Sequence, residues 1–306
     1  MSKEQSNKTN EKVAKKKKAI GPWRIAWERF LKNKVAVVGA SLFIVIVLAV
    51  IFVPILSPYE ISEFNLADKE QPPSSTHWLG TDEQGRDVLL RLFVGGRISI
   101  LVGLMAAGVS VILGSLIGGI AGYYGGRIDD ILMRIAEIIY SIPFMPTVIS
   151  LSAALMWRVS SEQKMYFVMF LIGVLSWPGL ARLVRGQILS LREQEFMQAT
   201  EILGISDRSK IIRHLLPNTL AFIIVSATLG MAGAILSEAG LSFLGLGVTP
   251  PTPTWGNMVE RARNTNVFRK MQWLWIPPGV MIMLTVVSIN LLGEGLRDAF
   301  DPKEIR

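Results

Sequence analysis

The sequence predicts an all-α integral membrane protein with six transmembrane helices. Two observations carry this. Half of the 306 residues are hydrophobic and 18 % are charged, where a soluble chain of this size carries about 25 % charged residues. The apolar residues are also gathered into six uncharged runs of 17 to 27 residues, and about 20 apolar residues cross a bilayer core as a helix. A third observation, the placement of Lys and Arg, orients the chain.

Residues 1–20 form a polar, Lys-rich tail expected to be disordered. Residues 21–34 place Trp23, Trp27, Phe30 and Leu31 at helical spacing, with Arg24, Glu28, Arg29 and Lys32 between them. That pattern predicts an amphipathic helix lying in the membrane interface. The spans then occupy 35–298, as Val35–Leu56, Ile98–Tyr124, Ile138–Trp157, Met165–Ala181, Leu215–Ser237 and Met271–Gly293. Residues 299–306 are a short C-terminal tail. The glycine- and proline-rich run Ala239–Val259 reads as an ordered loop or half-inserted segment, not a seventh helix.

The first 34 residues hold 11 Lys/Arg against 3 Asp/Glu, and the remainder balances at 21 against 21. With the N-terminus inside, six spans leave 22 Lys/Arg on the cytoplasmic side and 10 outside, the asymmetry that sets orientation. Both termini and the 190–217 loop are then cytoplasmic, and the 57–97 and 238–270 loops external. The basic tail is read as an orientation signal attracted to anionic lipid. Val35–Leu56 is too long for a signal-peptide core, and no small-x-small cleavage site follows it.

The loop 57–97 carries His77-Trp78-Leu79-Gly80-Thr81-Asp82-Glu83-Gln84-Gly85-Arg86-Asp87. Its glycines suit turns, and Asp82, Arg86 and Asp87 are able to pair locally. Span 2 has Gly114, Gly118 and Gly122 at four-residue intervals below Ala106, Ala107 and Ser110, a stripe that lets helices approach closely. Arg134 and Glu137 are spaced for an i,i+3 pair. Pro143 and Pro146 predict a kink in span 3, and Pro178 one in span 4.

The polar interval Leu191–Asn218 reads as two short helices with a hinge. Ser190 and Glu193 have capping-box spacing, which predicts a helix start. Gly204 suits the left-handed residue after a last turn. Ser206 or Asp207 suits the cap of the second helix, which Pro217 should stop or kink. A structured helix–turn–helix in a loop of a membrane protein implies something docked on it. Glu238, at the end of span 5, is an ionisable group at a membrane boundary. It either holds the external loop by hydrogen bonds or serves a substrate path or gate.

Several chemistries are excluded. Cysteine is absent. The two histidines, His77 and His214, fall on opposite sides of the membrane, so one chain offers no histidine metal site. No nucleophile–base set, cofactor motif or P-loop is present, and no Gly-Lys dipeptide occurs. A phosphate cradle of the P-loop kind is therefore not expected of this chain.

Gln198-Ala199-Thr200, Gly204 and Leu216-Pro217 match the spacing of the "EAA" loop of ABC-importer permeases, with Gln198 for Glu, Thr200 for Ala and His214 at an apolar position. The 77–87 segment, the Trp23–Lys34 lead-in and the 237–256 segment resemble the C-type permease of peptide and nickel importers. With the spans, the resemblance covers nearly the whole chain after residue 20. It implies a type I ABC importer permease fold in a bacterial cytoplasmic membrane and a heterodimer with a B-type permease. It further implies two cytoplasmic ATPases, an external substrate-binding protein, and ATPase coupling through Gln198, Ala199, Thr200, Gly204, Leu216 and Pro217. The substrate is then an oligopeptide or dipeptide, or alternatively nickel or another small solute. A secondary transporter is the remote alternative. It would need coupling-ion sites and internal repeats, whereas the span centres carry no charge and no repeat is visible.

Overall fold

The computed structural model describes residues 22–155 and 161–300, which are helical apart from the loops. The expected tail at 1–20 and residues 301–306 lie outside the described residues. The helices run α1 (Pro22–Lys32), α2 (Lys34–Leu56), α3 (Val88–Tyr124), α4 (Gly126–Ser141), α5 (Phe144–Leu155) and α6 (Ser161–Leu191). There follow α7 (Glu195–Ile202), α8 (Asp207–Phe243), α9 (Trp255–Val259), α10 (Thr265–Lys270) and α11 (Ile276–Phe300). Five helices are long and apolar enough to cross a membrane, and the number is six when α4 and α5, a pair bent by 79°, are counted as one broken span.

Local chemistry sets the helix ends. The Asn33 side chain caps α2 at the Ala36 N–H, and Asp87 caps α3 at the Leu90 N–H, 2.7 Å away. Pro54 lies inside α2 and has no N–H for the Val50 carbonyl. Arg97 of α3 fills that vacancy, donating from Nε at 2.6 Å to Val50 O and from Nη2 to Ile51 O.

The glycine stripe of α3 packs against α6. A Cβ on Gly118 would lie 2.3 Å from the Ala181 carbonyl oxygen, and one on Gly114 2.9 Å from Leu180 Cβ. Gly122 is as tight against Arg185 O, at 2.9 Å. Small residues are needed here because two helix backbones touch.

The third crossing departs from the single kinked helix expected over Ile138–Trp157. Ile142 is extended (φ −73°, ψ 126°), as the steric demand of the following Pro143 favours, and the helix breaks there. Its first half begins at Gly126, through charged residues that hydropathy alone rejects. Asp129 is buried because Arg185 of α6 binds it with both nitrogens of its fork. Farther along, Arg182 stacks over the Tyr140 ring at 4.9 Å, and Ala136 packs on Trp177 and Ala181. Val148 of α5 reaches Val168, Leu241 and Val248. Both halves of the bent pair therefore pack on α6, the first near Trp177–Arg185 and the second near Val168. Arg134 and Glu137 form no ion pair with each other.

In α1, Ala26 and Phe30 are buried against Ala36 and Ala299, while Trp23, Trp27 and Leu31 face outward. Trp23 meets the Phe300 ring edge-on at 5.2 Å, which places α1 beside the last turn of α11.

Candidate functional site

The site is built where α3, α6 and α8 end together. The helix expected to start at Ser190 does not. Ser190 lies in the last turn of α6, which Ile188 and Leu191 hold by packing with Leu180, Val184, Leu215 and Ile223. Tertiary burial overrides the local capping pattern. The next helix, α7, starts at Glu195 after Gln194, without a side-chain cap.

α7 has two unlike faces. Met197 is buried in the same apolar cluster, and Thr200 turns its hydroxyl to Met197 O at 2.6 Å. Gln198 and Ala199 face outward. Ile202 and Leu203 are 88 % and 74 % exposed, an apolar tip that water does not favour. Gly204 then takes φ 68°. Ile205 N–H bonds Thr200 O at 3.1 Å and Gly204 N–H bonds Glu201 O at 2.9 Å, the two bonds of a Schellman end. A Cβ on Gly204 would meet nothing within 4 Å, so its backbone angle alone requires glycine.

Past the hinge, α8 begins at Asp207 and does not stop at Pro217. Its second turn, Lys210–Leu215, is π-helical, and the helix continues to Phe243. Pro217 cannot donate to the Arg213 carbonyl, and its ring crowds that group. A widened turn just before it accommodates the ring without ending the helix. Leu216 packs with Met197, while Pro217 is exposed. Lys210 is buried between Asp207 at 3.7 Å and Glu201 at 4.0 Å, joining the two helices across the hinge.

Arg192 and Tyr123 escaped the sequence reading of this site, and Asp207 was expected there only as a possible helix cap. Arg192 donates from Nη1 to Gly122 O at 3.2 Å and Tyr123 O at 3.3 Å, the last carbonyls of α3. The Tyr123 hydroxyl donates to Asp207 Oδ1 at 2.6 Å. Asp207 therefore serves α3 as well as its own helix. No spacing rule links positions 84 apart in sequence.

At the far end of α8, Glu238 is completely buried. It accepts from Ser242 Oγ at 2.6 Å and from Ser99 Oγ of α3 at 3.4 Å. The Ser99 oxygen takes the Trp255 N–H at 3.1 Å, and the Ser242 oxygen takes the Val248 N–H at 3.3 Å. The carboxylate is the hub that joins α3, α8 and the 248–257 segment. A cavity of about 470 Å³ between α3, α6 and α8 is lined by Ser237 and not by Glu238.

In the loop beyond that end, Asp82 takes Arg86 Nε at 2.8 Å and lies 3.5 Å from Arg91 Nε. Burial pushes the Asp82 carboxyl up, but the Arg86 side chain and the Arg86 and Gln84 N–H groups together hold it below its ordinary value. Asp87 pairs with His77 at 2.9 Å. The local pairing expected for Asp82, Arg86 and Asp87 is present.

Comparison with known proteins decides what this scaffold is. Residues 114–306 match the family described as binding-protein-dependent transport system inner membrane component, and residues 21–73 match the N-terminal transmembrane domain of oligopeptide transport permease C. The chain is a C-type permease of the peptide ABC importer family. Its relatives include the oligopeptide transport system permease protein OppC of Bacillus subtilis, 39 % identical over 293 residues, covering 96 % of this permease and 93 % of the relative. The dipeptide transport system permease protein DppC of the same organism is 39 % identical over 296 residues, 97 % and 90 % of the two chains. OppC of Haemophilus influenzae is 40 % identical over 285 residues, 92 % and 89 %.

Proposed function

We propose that this permease forms half of a peptide translocation pathway and is driven by ATPases that dock on Gln198–Gly204. The observation that carries the reading is the exposed apolar tip of α7 and its left-handed end, mounted on three membrane helices. An exposed Ile-Leu pair on a rigid stem suits a partner groove. Gln198, Ala199 and Gly204 form the contact, Thr200 and Leu216 set its shape from beneath, and the Pro217 region lets α8 pass through. A B-type permease supplies the other half of the pathway, two cytoplasmic ATPases bind the loops, and an external binding protein delivers substrate. The chain hydrolyses nothing itself. The basic N-terminal segment orients it with both termini in the bacterial cytoplasm.

The cavity between α3, α6 and α8 is the proposed pathway wall. Ala107, Ser110, Ser176, Ser226, Gly230 and Ser237 line it, together with other uncharged residues. A wall of hydroxyls, small groups and apolar side chains such as Phe144 and Ile172 suits peptides of differing side chains, because it contains no charge to trap them. Glu238 is assigned to holding the 248–257 segment in place.

The test is uptake in a strain lacking this chain, with labelled di- to pentapeptides and with nickel. Peptide uptake should fall to background and return with the restored gene, while nickel uptake stays unchanged. Lost nickel uptake with normal peptide uptake would contradict the proposed substrate.

A further inference from the structure

Both ends of the coupling loop grip the same end of α3. Arg192 enters from α6 and takes the carbonyls of Gly122 and Tyr123, and Asp207, at the start of α8, takes the Tyr123 hydroxyl. Gly125, the left-handed residue that closes α3, sits close beneath Arg192, since a Cβ there would lie 3.0 Å from Nη1. The apolar cluster around Met197 also joins loop and helices, but apolar contact is non-directional and permits sliding. The hydrogen bonds fix direction.

What they grip is a single rod. α3 runs 37 residues from Val88 to Tyr124 with no proline, and its glycine stripe is seated on α6. Toward its other end it carries Ser99, which bonds both Glu238 and the Trp255 N–H. The loop follows α6 and precedes α8 in sequence, so those two helices receive its motion through the chain itself. α3 is not continuous with the loop, and it is reached through its packing on α6 and through these side chains.

We infer that Tyr123 is a positioning residue for transport: its hydroxyl, with the Arg192 guanidinium, locks α3 to the coupling loop. A displacement of α7 then carries α3 and, through it, the Ser99–Glu238–Trp255 network at the opposite membrane face. The inference rests on the reading that an ATPase docks at Gln198–Gly204.

Tyr123→Phe removes the hydroxyl and leaves the ring packed on the apolar cluster that holds Ile188, Met197 and Leu215, so the fold should be preserved. Asp207→Asn keeps an acceptor oxygen, and Asp207→Ala does not. The experiment uses the complete importer in liposomes, with both permeases, the ATPases and the binding protein, and reads ATP hydrolysed per labelled tri-alanine taken up. Tyr123→Phe should raise that ratio roughly threefold, the effect of losing one exposed hydrogen bond to a charged group. Asp207→Ala, which also takes a partner from Lys210, should raise it at least as much, the double variant should be no worse than Asp207→Ala alone, and Asp207→Asn should stay closer to wild type than Asp207→Ala. Crosslinking from Gln198→Cys to the ATPase should persist in all of them. An unchanged ratio in Tyr123→Phe with the crosslink intact would overturn the latch. So would a parallel fall of hydrolysis and uptake, because a merely structural defect leaves the ratio constant. A wild-type importer in which position 198 never meets the ATPase contradicts the docking reading itself, and the latch with it.

Discussion

Glycine does three different things in this permease, and substitution separates them. At Gly118 the need is space, because the Ala181 carbonyl lies 2.3 Å from where a Cβ would sit. Gly118→Ala should push α3 off α6 and cost about 1–3 kcal/mol, the usual range for overpacking. At Gly230 a Cβ meets nothing within 4 Å and the backbone is ordinary helix. Gly230→Ala should be neutral or stabilise by up to about 1 kcal/mol through helix propensity. Thermal unfolding of the two variants in detergent should move in opposite directions or leave only Gly118→Ala shifted. A shared loss would refute the packing account. At Gly204 the need is the left-handed angle alone. Gly204→Val should cost about 1–2 kcal/mol locally, insert normally and lose uptake. Normal uptake would remove the loop geometry from the mechanism.

At the scale of elements, the far end of α8 is held by one buried acid. Glu238→Ala strips the acceptor from Ser99 and Ser242 and should destabilise by about 1–3 kcal/mol. Glu238→Gln keeps an acceptor oxygen and should lose less. Protease sensitivity of the 248–257 segment from the external side measures this, and equal protection in wild type and Glu238→Ala would show that the carboxylate is not the hub. The elements also show what was legible in the sequence. All six expected spans stand out as uncharged blocks, because lipid-facing helices cannot hide their composition. The first half of the third crossing was not legible, since Asp129 is tolerated only through Arg185, 56 residues away. The Ser190–Glu193 pattern misled because capping propensity is weak against the packing of Ile188 and Leu191. Gly204 was legible because a left-handed helix end has few solutions. Tyr123, Arg192 and Asp207 meet only after the chain folds.

In the proposed function the whole molecule is a passive half-pore worked from one face. That face gathers the ends of α3, α6 and α8, and in the proposed orientation it is cytoplasmic, along with α1 and the end of α11. Reporter fusions after Arg306 should therefore report from inside and fusions at Ser161 from outside. An inward Ser161 would invert the arrangement. The central claim is that another polypeptide pushes on α7, and the absence of cysteine makes it directly measurable. Gln198→Cys provides the chain's single thiol, and a partner thiol is placed along the ATPase groove. In membranes containing the assembled importer the two should crosslink, with a yield that changes between ATP-bound and nucleotide-free states. A crosslink to no position on the ATPase, in an importer that still takes up peptide, would contradict the account.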